Sequence, residues 1–323
     1  NVLARDFTYG GCGDFTIEDQ RGNYIQYGNL LTGWTAQAGA SITTGQADKM
    51  NGTDAVRIQS NGSSSVFRDI SNLGFPDSVT GTLSCWVKAT SGTSETFRLL
   101  ADGGNVSSQL TATNEYQKFE LTFANGAGAN NSGFTPDASS NPFDITIFLP
   151  QMEVGGYASS SIINYTGGLV TRLRDVPSLT GASALLSDSE GGIYIKGRVF
   201  DASVPSIIEI SNSSDAANER VLIEIDGTNI TGKVTAGGVE QATINAAGAV
   251  SGTEFEVCYN YASNNFSLQK GGATAGTDTS GSTPTGLDQV RFTDGSNPLL
   301  GRIAEFIVFN QRPTNTQGEA LTA

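Results

Sequence analysis

Acid–base chemistry in this chain would fall to carboxylates, because its 323 residues include no histidine. That absence removes serine–histidine–aspartate and cysteine–histidine nucleophilic catalysis, histidine-assisted zinc sites and the HExxH metalloprotease motif. Glycoside hydrolysis survives the test, since it needs only two carboxylates flanking a glycosidic bond. Glu209 in IIEIS, Glu224 in LIEID, and Glu254 with Glu256 in TEFEV fall on strand-like runs and would supply such a pair if they faced one groove. The competing reading for each is a solvent-facing strand carboxylate.

A second chemistry needs no catalysis. A pyranose has an apolar face and a rim of hydroxyls, so a sugar site in an all-β scaffold combines an exposed aromatic ring with planar polar groups. The candidates are Trp34, Tyr259 and Tyr261, with Asn264 and Asn265 beside the tyrosines. Trp86 is a further candidate, but its strand, TLSCWVKA, is strongly hydrophobic, so its ring is assigned to the core. Three DGxN turns, beginning at Asp102, Asp226 and Asp294, carry side-chain oxygens. Calcium wants six or more converging oxygens and each turn offers two, so the expectation is no cofactor, with Ca2+ as the alternative.

Short apolar runs must position these groups. Ile193 to Phe200 and Arg302 to Phe309 are examples, separated by stretches rich in Gly, Ser, Thr and Asn, while charged residues are only 15%. That composition reads as all-β with many turns. No apolar run approaches 18 residues and no heptad repeat is sustained. The net charge is −14, split as −7 in residues 1–166 and −7 in residues 167–323. An acidic surface without a basic stripe argues against nucleic-acid binding. Cys85 and Cys258 sit mid-strand and read as small buried apolar residues, while Cys12 lies in a GGCG loop. This usage points to folding in a reducing cytoplasm, and residues 1–28 carry no signal-peptide pattern.

Three pieces are expected. Residues 1–28 hold two strand-like runs, Asp14 to Glu18 and Asn23 to Tyr27, around the turn-prone Gln20-Arg21-Gly22, and read as a docking hairpin. Residues 29–165 form a first β-sandwich, with strands near Ala55 to Ile58, Ser65 to Arg68, Gly81 to Ala89, Glu95 to Leu100, Gln117 to Phe123 and Asp144 to Leu149, where Pro150 stops the last. Residues 166–323 form a second, including a meander over Val221 to Ile225, Ile230 to Thr235 and Gln241 to Ile244, and a helix over Thr316 to Leu321.

Two groups of phrases carry a resemblance. PQMEVGGYASSSI, running into VTRLRDVPSLTG, is similar to the end of carbohydrate-binding-like sandwich modules in the fibre and tail proteins of tailed bacteriophages. GGIYIKGRVF, EFEVCYNYASNNFSLQKGGATAGTDTSGSTPTGL and GRIAEFIVFNQRPTNTQGEALTA resemble concanavalin A-like, laminin-G-like modules of the same proteins. In related glucanase sandwiches the catalytic carboxylates form an E-x-D-x-x-E motif on one strand; here Glu224-Ile225-Asp226 is followed by Gly227-Thr228-Asn229, so the motif is incomplete. The resemblance implies a non-catalytic virion protein, a homotrimeric tail fibre or receptor-binding protein, assembled in the bacterial cytoplasm. It would contact other virion proteins through residues 1–28 and a host surface glycan through its sandwiches, with no nucleic acid and no membrane insertion. A capsid decoration or head-fibre protein is the structural alternative, and a polysaccharide depolymerase the enzymatic one.

Overall fold

The computed structural model describes residues 4–6, 14–69, 73–101, 105–126, 131–137, 141–200, 205–247 and 252–323. Cys12 and the Asp102 turn lie outside the described residues. Two compact units form, Gln20–Leu173 and Asn1–Asp19 with Arg174–Ala323, each built on its own hydrophobic cluster.

In chain order, β1 (Ala4–Asp6) and β2 (Asp14–Ile17) belong to the second unit. The chain then builds the first unit from β3 (Arg21–Asn23), β4 (Thr35–Ala36), β5 (Ala40–Gln46), β6 (Ala55–Ser60), β7 (Val66–Asp69), β8 (Thr80–Ala89) and β9 (Ser94–Ala101). It continues with β10 (Asn105–Val106), β11 (Leu110–Thr113), β12 (Gln117–Ala124), β13 (Asn131–Thr135), β14 (Phe143–Val154) and β15 (Val170–Arg172). Back in the second unit come β16 (Ser178–Thr180), β17 (Glu190–Val199), β18 (Ser206–Ser211), β19 (Arg220–Ile225), β20 (Asn229–Ala236) and β21 (Val239–Ala247). They are followed by β22 (Glu254–Ala262), β23 (Phe266–Lys270), β24 (Ala273–Asp278), β25 (Gln289–Arg291), β26 (Gly301–Phe309) and the helix α1 (Asn315–Leu321).

The first unit is a sandwich of one sheet ordered β12-β8-β14-β6-β5 against another ordered β10-β9-β13-β7-β4, with β11 beside β9. Alternation sets its faces. Along β8, Leu83, Cys85, Val87 and Ala89 turn inward and are buried, which sends Ser84, Trp86 and Lys88 to the other face. Phe97 and Phe134 from the second sheet meet Phe119 and Trp34 in the core; the Phe97 and Phe119 rings stand edge to face with centroids 5.4 Å apart.

Pro150 does not stop β14. Trp86 faces Phe148 while Ser84 faces Gln151, so β14 spends three residues where β8 spends two: a β-bulge. Leu149 takes the left-handed region at φ 49°. The bulge leaves both consecutive residues, Phe148 and Leu149, in one small cluster with Ala55, against which Trp86, Tyr116 and Tyr165 pack. The strand then resumes through Val154.

After β14 the chain folds back as a strap over the sheet face opposite the core. Gln151 and Glu153 point out of that face and receive it: Ser159 N and Oγ donate to the Glu153 carboxylate at 2.7 Å each, and Ile162 N donates to Gln151 Oε1 at 2.6 Å. The PQMEVGGYASSSI phrase thus encodes a strand and the strap that strand binds.

The second unit stacks a sheet ordered β1-β2-β26-β17-β22-β23-β24 on one ordered β16-β25-β18-β19-β20-β21. Ile193 and Ile195 from one and Ile208, Ile210, Val221 and Ile223 from the other are fully buried in its core. The two strand-like runs near the N-terminus do not pair with each other. Phe15 instead lies opposite Ile303 of β26, and Gly22 opposite Thr171 of β15, so β2 and β3 belong to different units. The reason is composition: Ile17 is apolar and fully buried in the second core, whereas Asn23 donates to the carbonyls of Pro150 and Ile162 in the first. Helix α1 is capped by Thr314 and Gln317 in a reciprocal capping box.

Candidate functional site

The aromatic residues expected to stack on sugar are core residues. Trp34 is 9% exposed, its ring centroid 6.2 Å from that of Phe134. Tyr259 and Tyr261 are completely buried on β22. The Tyr259 ring lies across Gly232 of the facing sheet, where an added Cβ would come within 2.2 Å of it. A ring with no exposed face cannot take a pyranose, so all three are corrected to packing roles. Asn264 and Asn265 form the exposed β22–β23 turn, with Asn264 at φ 55° and its side chain accepting from Gly281 N at 3.1 Å. Neither has an accessible aromatic neighbour from the predicted set.

The two tyrosines differ in a measurable way. Tyr261 Oη donates to the Ser187 carbonyl at 2.8 Å, while Tyr259 Oη is buried with no partner among the described residues. Tyr259→Phe is therefore expected to leave the second sandwich as stable as before or about 1 kcal/mol more stable, and Tyr261→Phe to cost about 1 kcal/mol, in paired urea melts.

The strand carboxylates are mostly paired. Glu209 is fully buried between Arg291, whose Nε lies 3.1 Å away, and Arg220 at 3.4 Å. Glu224 binds Lys233 at 2.6 Å, Glu256 binds Lys196 at 2.5 Å, and Glu254 is exposed on β22. Glu209 and Glu224 lie on one sheet and Glu254 and Glu256 on the other, so no single groove collects them. The Asp226 and Asp294 side chains accept from backbone amides of their own turns, Thr228 and Asn229 in one and Ser296 and Asn297 in the other. Burial pushes the Cys258 thiol up to about 12 and raises Cys85 as well; both are buried and unbridged.

The functional groups sequence reasoning missed lie on the β12-β8-β14-β6-β5 sheet, on the face away from the core. Trp86 stands at its centre, flanked by Lys118 on β12 and Phe148 on β14. Its ring is half-buried, and its Nε1 donates to Ser161 Oγ of the strap at 3.2 Å. Tyr116, just before β12, is half-buried over Phe148 with centroids 6.2 Å apart, and its hydroxyl donates to the Ala47 carbonyl at 2.8 Å. Tyr165 completes the set, packed on Phe148 and Leu149 with the Asp54 carboxylate nearby. Burial, with the nearby Asp48 charge, pushes the Tyr116 hydroxyl up to about 12; burial and then Asp54 do the same to Tyr165. Both hydroxyls are therefore neutral donors at physiological pH.

Two ammonium groups sit on these rings. Lys49 Nζ is 3.2 Å from the Trp86 ring centroid and Lys88 Nζ 4.9 Å from that of Tyr116. Lys49 is carried by a loop that Asp48 ties together, accepting from Met50 N, Gly52 N and Asp54 N at 2.7, 2.9 and 3.0 Å. Burial tends to raise the Asp48 pKa, but these three amides outweigh it and hold the carboxylate below its ordinary range. Further along, Arg57 grips Asp144, with Nε 2.7 Å from Oδ1, and lowers the Asp144 pKa. The arrangement offers three partly open rings, neutral hydroxyls, amide-bearing loops and, besides Arg57 held by Asp144 and Lys118 held by the Ser159 carbonyl, two further cations on one face. Its signal in the sequence was the parity of TLSCWVKA, which puts Trp86 and Lys88 on one side.

No family model matches this sequence, and no curated protein sequence matches it. Among solved structures, the chain is similar to the CBM40 of the Ruminococcus gnavus IT-sialidase bound to alpha2,3 sialyllactose, at 16% identity over 44% of this chain and 87% of that one, TM-score 0.38. It is also similar to sheep galectin-11, at 8% identity over 42% and 96%, TM-score 0.30. A third is the CBM22-1–GH10 portion of a Clostridium thermocellum xylanase complexed with xylohexaose, at 14% identity over 43% and 28%, TM-score 0.33. By its own strand order and paired sheets, the chain is an all-β protein of two β-sandwich units.

Proposed function

We propose that this protein binds a glycan, without cleaving it, on the outer face of the first sandwich. The observation that carries the reading is the clustering of Trp86, Tyr116 and Tyr165, all half-buried, over the floor made by Phe148 and Leu149. Such rings present apolar surface for the sugar's C–H face, and neighbouring donors and acceptors reach its hydroxyls. The pairing of Glu209, Glu224 and Glu256 with cations supports a binding role over a hydrolytic one. Binding of this kind needs no metal.

On the phrases PQMEVGGYASSSI and EFEVCYNYASNNFSLQ, the protein belongs on a tailed-bacteriophage virion, as a homotrimeric fibre or receptor-binding protein assembled in the host cytoplasm. Several weak sites on one particle would then act together, raising the effective affinity by about 100-fold or more. A glycan array followed by titration calorimetry tests the reading. Trp86→Ala is expected to weaken the retained glycan about 30-fold, as loss of a central aromatic anchor does. Retention of no glycan, or equal binding by Trp86→Ala, would sink it.

A further inference from the structure

Resting on that reading, we infer that the glycan is acidic, its carboxylate held between the Lys49 and Lys88 ammonium groups. Among the described residues these two cations have neither a carboxylate partner nor a hydrogen-bond acceptor, whereas Arg57, Lys196, Arg220, Lys233 and Arg291 pair with carboxylates and Lys118, on the same face, donates to the Ser159 carbonyl at 2.6 Å. They also share one face. Lys88 lies two residues along β8 from Trp86 on the same face, and Trp86 carries Lys49. Three neighbouring carboxylates are already engaged: Asp48 by three backbone amides, Asp54 by Asn29, and Asp144 by Arg57 and Gln59.

Tethered acids beside untethered ammonium groups make an anion-accepting surface. Burial against the ring pulls the Lys49 pKa below its ordinary range, a cost that an adjacent anion relieves. The −14 charge of the chain does not decide the matter, because screening confines each charge to about 8 Å at physiological ionic strength and leaves the nearest groups in control. A neutral sugar would use the rings but leave both ammonium groups without a counter-ion. An acidic one uses both.

The test pairs each uronate- or sialate-bearing glycan on the array with its methyl ester, which keeps shape and removes charge. The retained glycans are expected to carry the carboxylate, with esterification weakening them about tenfold. The Lys49→Gln, Lys88→Gln double variant should bind acid and ester alike, while retaining the wild-type melting temperature. Retention of neutral glycans, or indifference to esterification, overturns the acidic assignment and leaves the aromatic site standing. Retention of no glycan at all overturns the site itself, and this inference with it.

Discussion

Replacing Glu153 with alanine is expected to cost the first sandwich about 3–5 kcal/mol, because the buried carboxylate is the node that holds the strap to the sheet. Glu153 is fully buried yet lies on the face away from the core. It accepts from Ser159 N, Ser159 Oγ and Gln151 Nε2 at 2.7, 2.7 and 2.8 Å, with the Arg21 guanidinium 4.0 Å away. Alanine leaves the Ser159 amide without its acceptor and the Arg21 charge without its nearby carboxylate, and a strap without an anchor withdraws Ser161 from Trp86. Both tryptophans, Trp34 and Trp86, lie in this unit, so a urea melt followed by tryptophan fluorescence reads it selectively. A loss below about 1 kcal/mol would show that other contacts hold the strap. Glycan retention should fall together with stability in this variant, which separates it from Trp86→Ala.

The second large effect belongs to the other unit. Glu209→Ala is expected to remove about 3–5 kcal/mol there, since it leaves Arg220 and Arg291 facing one another across a buried position with no anion between them. Differential calorimetry should show one transition moving down while tryptophan fluorescence, which reports the first sandwich, keeps its midpoint. Glu209→Gln keeps the shape and one acceptor oxygen, so a smaller loss is expected. If Glu209 were instead a catalytic carboxylate held in reserve, its replacement would leave the melt unchanged, and the ion-pair account would fail.

Much of the fold was legible because each strand carries its own period. TLSCWVKA and QKFELTF alternate along β8 and β12, and the Asn51 turn sits in the left-handed region that an Asn-Gly pair predicts. The site was read less well, for two physical reasons. Alternation tells which residues share a face but not which face meets a partner sheet, so Trp86 was assigned inward and Trp34, outside any long strand, outward. The bulge at Leu149-Pro150 then breaks the alternation and places two apolar neighbours together under the rings. Proline was read as a stop, although a bulge is a position where a strand tolerates the missing amide. The buried tyrosines failed differently: Gly232 makes room for Tyr259 from a strand on the opposite sheet, a complementarity invisible along one segment.

The pairing of β2 with β26 sets an order of events during synthesis. Phe15 leaves the ribosome before the first sandwich and its partner Ile303 after it, with the whole of that unit made in between. The intervening unit can close on its own contacts while β2, paired with β1 alone, waits for its second neighbour, and the second unit completes only when β26 arrives. Non-local closure of this kind is slow, and an unpaired strand edge invites association with other chains. Nascent copies made side by side would be exposed to exchange at this step, with the β2 of one chain reaching the β26 of another.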